Sequence, residues 1–222
     1  MGSFDHTTID TLRRFSGGSL TRTVATLEGE VSGLVGRDCG EFLDRISATQ
    51  EVLAAAATLK SLAGQINVII HALGILRCLP HILEDGEIVE SASLGAGNTG
   101  RAFDLETSYR VAEFKFISWQ GGPESIRQNS IFKDLFLLSQ ASSSKRKELY
   151  VLGAEHPMRF LRGGRAMSSV LSKDEKVRKM FYDTFGERFR TVREYYAVFA
   201  DTVSIVDASP WLPELIGDPS SH

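Results

Sequence analysis

The chain has 222 residues, 42% of them apolar, and a formal net charge of −3. That is enough apolar content for a full core, and no run of 18 uncharged apolar residues marks a membrane span. The small net charge excludes a protein coated throughout for nucleic acid, and two cysteines are too few for a disulfide framework.

The N-terminal MGSFDHTTID lacks a basic stretch followed by an apolar one, so no standard secretion signal is expected. Cys39 and Cys78 lie in helix-like contexts and are expected in the core. They fit a reducing compartment, which predicts a cytoplasmic location with the nucleus left open and no membrane partner. The five histidines are scattered and none stands at zinc-site spacing from a cysteine or another histidine, so no zinc site is expected. Charge is uneven along the chain. Residues 1–100 carry 7 basic and 12 acidic side chains, whereas 145–194 carry 13 basic and 7 acidic ones. The basic segment is either an anion-binding face or a set of solvated helix faces.

In chain order, Glu41 to Leu62 is rich in helix formers, and Gln65 to Leu79 repeats apolar residues at helical spacing until Pro80 ends the pattern. Between Glu87 and Trp119 the period changes to two, which predicts three consecutive strands near 86–95, 101–109 and 110–118. A helix follows Gly121-Gly-Pro123 and runs to about Gln140. Glu148 to Gly153 reads as a short buried strand, and helix returns from His156, most clearly from Lys173 to Ala200, before an irregular tail from Ser209. The fold class is thus α/β of the α+β kind: a small mixed sheet, a three-stranded meander plus a further strand, flanked by helices. Residues 1–61 form a helical segment packed on the core, 62–155 the core, and 156–222 the C-terminal helices and tail.

Gly95, Gly97 and Gly100 have the G-x-G-x-x-G spacing that cradles a dinucleotide. That motif needs a helix opening at its third glycine. Here Phe103, Leu105, Thr107 and Tyr109 alternate with Ala102, Asp104, Glu106 and Ser108, the period of a strand. The glycines, with Asn98, are therefore expected to serve positive backbone angles in a hairpin bend, and no dinucleotide cofactor is expected.

Charges interrupt the apolar strands that follow. Asp104 and Glu106 share one face and Phe103 and Leu105 the other; Glu113 and Lys115 share a face opposite Ala112, Phe114 and Phe116. Two carboxylates are the protein's usual share of a Mg²⁺ shell, and an ammonium beside them stabilises charge on a phosphate under attack. The alternative is that Glu113 and Lys115 are a solvated pair on the wet side of a sheet.

An acid on one strand followed by Glu-x-Lys on the next resembles the PD-(D/E)XK superfamily of restriction-endonuclease-like nucleases, and the order helix, three strands, helix, strand over about 62–155 is similar to that family's core. The resemblance implies a Mg²⁺- or Mn²⁺-dependent nuclease acting on DNA before RNA. It implies Asp104, Glu113 and the Phe114 carbonyl as metal ligands and Lys115 as the residue that positions or activates water. The proline of the motif is absent, Phe103 standing before Asp104. The family's helix-borne Glu has no counterpart in Gln65 to Leu79, which leaves Glu84, Glu87 and Glu90 as substitutes. Gln128, followed four residues later by Phe132, resembles the Gln-x-x-x-Tyr signature of some members. Gln128, Lys133 and a ridge of Arg159, Arg162 and Arg165 are the candidate nucleic-acid contacts, set against solvated helix faces. His156 before Pro157 is a candidate phosphate group or a turn residue. The other function class is a noncatalytic α/β interaction or nucleic-acid-binding protein with a nuclease-like core, associating with itself through its long helices.

Overall fold

The structure, a computed structural model, describes residues 6–95, 100–117, 119 and 124–216. It divides into two compact units between Asn67 and Val68. The first unit holds α1 (His6–Ser16), α2 (Leu20–Val31), α3 (Cys39–Arg45) and the first half of α4 (Gln50–Ile82). Ser19 caps α2, its hydroxyl accepting from the Arg22 N–H. The helix expected from Glu41 to Leu62 is broken in two, because Ser47 turns the chain with φ 56° between α3 and α4. Cys39 is half-buried rather than in the core, while Cys78 is fully buried.

α4 then runs on through Gly64 and past Pro80, which the sequence had as a boundary. A helical glycine costs only about 1 kcal/mol. Pro80 falls in the last turn, so it forfeits a bond where the helix is ending anyway, at Ile82. By length and composition alone, with a hydropathy of 1.6, α4 is long and apolar enough to cross a membrane. Within the second unit it buries Ile75, Cys78 and Ile82.

The second unit continues with β1 (Val89–Ala92), β2 (Leu105–Thr107), β3 (Arg110–Lys115), α5 (Ser125–Gln140), β4 (Arg146–Val151), α6 (Glu155–Leu161), α7 (Met167–Val170), α8 (Glu175–Phe185), α9 (Val192–Phe199) and β5 (Ser204–Asp207). The sheet order is β1-β2-β3-β4-β5; the first three strands form the expected antiparallel meander, and β4 and β5 add in parallel. This is the α+β class read from the sequence, with β5 as a strand the sequence reading placed among helices and tail. Parallel neighbours need a crossover, and α5 supplies the first while α6 to α9 supply the second.

One face of the sheet, with Val111, Leu149 and Val151, packs on α5, α8 and α9 through Phe132, Phe136, Phe181 and Tyr195. The other, with Leu105, Ala112, Phe114 and Tyr150, packs on Ile75 and Cys78 of α4. Strand β2 is shorter than expected, and Phe103 and Leu105 do not share a face: Phe103 lies against the first cluster and Leu105 in the second. Residues 102–104 bend before the strand begins, so the alternation does not extend back to them. The helix expected from Lys173 to Ala200 is likewise two. Asp174 caps α8, Gly186 ends it at φ 55°, and Thr191 with Glu194 forms a capping box that restarts the chain as α9. The expected irregular tail contains two 3₁₀ turns, at Ser209–Trp211 and Pro213–Leu215.

No helix opens between Gly100 and Asp104, and Gly95 and Gly100 have positive φ of 87° and 69°, as a bend requires. Gly97 and Asn98 lie outside the described residues, as do Gly121 to Pro123. At the end of the sheet formed by the start of β3, Arg110 is almost fully buried and its guanidinium is satisfied on all sides. Nε and Nη2 donate to Glu87 at 2.7 Å each, and Nη1 to Glu148 at 2.9 Å and the Tyr150 hydroxyl at 3.2 Å.

Candidate active site

The antiparallel register sets the site. Leu105 pairs with Ala112, so Asp104, one residue before β2 begins, stands beside the stretch of β3 that carries Glu113, Phe114 and Lys115. There the β2–β3 ladder stops, and the Asp104 carboxylate replaces it: Oδ2 accepts the Phe114 N–H at 3.0 Å. In an extended strand a residue's N–H and C=O point to the same side, so the Phe114 carbonyl faces Asp104 too. The other Asp104 oxygen meets His71 Nε2 of α4 at 3.3 Å.

His71 is held over this end of the sheet by a close helix contact. One turn along α4, a Cβ added to Gly74 would stand 2.5 Å from the Phe116 ring, and Phe116 in turn lies 6.2 Å, centroid to centroid, from His71. Glycine is what lets this aromatic reach the helix backbone.

Glu113 and Lys115 project toward α5, where Asp134 is the buried acid, only 5% exposed. Lys115 Nζ lies 2.9 Å from Asp134 Oδ2. Glu113 hydrogen-bonds to Asp104. Burial, with the Asp134 and Asp104 charges adding to it, pushes the Glu113 carboxyl up to about 9 against the pull of Lys115. Burial works on Asp104 in the same upward sense, but its hydrogen bonds from His71 and the Phe114 amide outweigh it and hold that carboxyl below its ordinary value. Burial raises Asp134 despite Lys115. Three carboxyls thus share one lysine, and Glu113 retains a proton that it donates to Asp104.

Such a pair fits a divalent cation, because a cation can take the place of the retained proton between two oxygen donors. Among the described residues no group of three or more His, Cys, Asp or Glu side chains is placed to hold a metal ion. Mg²⁺ does not need one, since it commonly takes one or two carboxylates with waters and substrate phosphate completing its shell.

Asp104, Glu113, Phe114 and Lys115 are therefore brought together, and sequence reading missed two neighbours, His71 and Asp134. Glu84, Glu87 and Glu90 do not substitute for the helix-borne acid. Glu84 pairs with Arg146, Glu87 with Arg110, and Glu90 with Lys145. His71 is the helix-borne residue that does reach it.

The candidate nucleic-acid contacts divide: Gln128, Arg159 and Arg165 line one cavity, and Lys133 does not. Arg159 lies on α6, Arg162 caps its C-terminus and Arg165 follows the helix, so the three do not form a helical ridge. Arg159 pairs with Glu155 at 2.5 Å. Arg165 Nη1 donates to Gln128 Oε1 and Nη2 to Ser169 Oγ. Lys133 pairs with Asp174 at 2.9 Å and lines a different cavity. Pro157 sits in the first turn of α6, whose start is pinned by Asp207: its carboxylate accepts the N–H groups of Gly153 at 3.0 Å and Ala154 at 3.2 Å.

Comparison with protein families, with curated proteins and with solved structures yields no match.

Proposed function

We propose that this chain is a metal-dependent nuclease of the PD-(D/E)XK kind, hydrolysing phosphodiester bonds with Mg²⁺ or Mn²⁺, in DNA before RNA. The observation that carries the reading is the half-buried Asp104 carboxyl set beside the buried Glu113 carboxyl, with Lys115 two residues along the same strand as Glu113. Asp104, Glu113 and the Phe114 carbonyl are the residues that would hold the cation. Once bound, a divalent cation supplies an acidic water and neutralises charge on the phosphate. His71 fixes one oxygen of Asp104 and the Phe114 amide the other, so the carboxylate is oriented before substrate arrives. Asp134 holds the Lys115 ammonium at the edge of the pair, where it can stabilise negative charge developing on the phosphate.

The test is calorimetry of Mn²⁺ or Mg²⁺ binding alongside nicking of a supercoiled plasmid, with each variant's melting temperature checked. Asp104→Asn and Glu113→Gln should each weaken cation binding and abolish nicking. Lys115→Met, made together with Asp134→Asn so that no carboxylate is left buried and unpaired, should retain cation binding and lose nicking by about 100-fold or more. A wild type that binds no divalent ion and nicks nothing would return these side chains to a structural role.

A further inference from the structure

Beyond Lys115 the chain continues through Ile117 to Trp119, and this residue stands between two cavities. On one side is a narrow slot that Trp119 lines together with Lys115, Ile117, Arg127 and Pro157. On the other is a cavity of about 250 Å³ that Trp119 lines with Gln128, His156, Arg159, Phe160 and Arg165. The second cavity is unlike the carboxylate centre, because its polar wall is mostly donors and its cations are incompletely matched. Arg165 is half-buried, its two hydrogen-bond partners, Gln128 and Ser169, are both neutral, and among the described residues it makes no ion pair. A cation withdrawn from water without a counter-charge is costly, and an anion in the cavity would supply one. Arg159 adds a second guanidinium, shared with the exposed Glu155 carboxylate. Trp119 is only 8% exposed, and its indole Nε1–H is buried and has no acceptor among the described residues. Native structures seldom leave such a donor unmet, and a ligand oxygen is a natural partner.

We infer that this cavity is a second phosphate subsite. It takes a phosphate of the same nucleic-acid strand whose scissile phosphate lies beside Lys115, with Arg165 as its main charge and the Trp119 N–H and His156 as further donors. The inference rests on the nuclease reading for the identity of the ligand. Gln128 orients Arg165, and Asp207 fixes the start of α6, which carries His156 and Arg159, so the donors belong to elements already packed. Two sources share this chemistry: a terminal phosphomonoester and an internal phosphodiester.

The experiment measures binding of short labelled single-stranded oligonucleotides by fluorescence anisotropy in EDTA, where cleavage cannot occur. Three probes are used: one with a 5′-phosphate, one with a 3′-phosphate and one with neither. Arg165→Gln should weaken binding about tenfold and lower the salt dependence by about one phosphate equivalent. Trp119→Phe, which keeps a ring and removes the N–H, should weaken it severalfold. A preference of about tenfold for one phosphorylated end assigns the terminal source; equal affinities assign the internal one. To separate binding from any change in folding of Arg165→Gln or Trp119→Phe, inorganic phosphate is also titrated into Trp211→Phe, in which emission comes from Trp119 alone. A saturable change there is expected, and it should disappear when Arg165→Gln is added. Affinities and salt slopes equal to wild type in both folded variants, or an unresponsive Trp119, would overturn the subsite. The nuclease reading fails separately: a protein that binds through Arg165 but never nicks keeps this subsite and loses the catalytic proposal.

Discussion

Glu113 shows how one proton links the site to stability. Its ordinary value is 4.5, and in the folded chain burial and two neighbouring carboxylates lift it to about 9. Between those values the folded state holds a proton that the unfolded chain has released. The stabilisation from this group is therefore complete below about 4.5 and drains away as pH rises through about 9. Glu113→Gln imitates the protonated form and should remove that loss. In EDTA, the melting temperature of wild type is expected to fall between about pH 5 and about pH 9 by more than that of the variant. Mg²⁺ should narrow the gap by restoring wild type and leaving Glu113→Gln unchanged. Parallel melting curves across that range, with and without Mg²⁺, would mean that Glu113 ionises freely.

At the scale of elements, the buried Arg110 cluster ties the segment before β1 to β3 and β4, and its proton linkage has the opposite sign. The Arg110 guanidinium holds Glu87 down to about 2, against an ordinary 4.5. Its contribution is present above about 4.5 and lost as pH falls through about 2. Glu87→Gln leaves the Arg110 charge buried with one acid fewer, and a loss of about 3 kcal/mol at neutral pH is expected from urea unfolding. The variant's acid limb should also be flatter than wild type's; an equally steep limb would assign acid unfolding to other carboxylates. This cluster was invisible in the sequence, where Glu87 and Arg110 are 23 positions apart. The meander and β4 were legible because Val111, Phe114, Leu149 and Val151 are apolar at strand spacing between turn residues. β5 was not, since SIVD is four residues long with three only partly buried. Asp104, Glu113 and Lys115 stood out as charges within apolar strands. His71 and Asp134 did not, because one polar residue on a helix is ordinary until its burial is known. Asp134 left a faint signal, a carboxylate that with Lys133 interrupts the apolar Ile131 to Leu138.

At the scale of the whole second unit, the sheet has a local half and a distant half. The meander closes within residues 89–115, whereas β5 reaches β4 only after a crossover that includes α6 to α9. Pairing across so long a loop comes late, after its closure entropy has been met. Until then β4 is an edge strand, and its Leu149, Tyr150 and Val151 are among the most apolar, fully buried residues of the sheet. An open edge of that composition invites other chains. β5, short and half-exposed, is a poor template itself, so in the finished protein it acts as a guard strand. A chain cut before Ser204 should therefore fail by aggregation rather than by quiet loss of a terminal element. Light scattering after refolding is expected to show concentration-dependent assembly in the shortened chain and none in the full one. A shortened chain that stays monodisperse would mean that β4 is shielded by something other than β5. Natural sheets blunt their edges with charge, proline or brevity; this one ends its parallel half in brevity, with four residues.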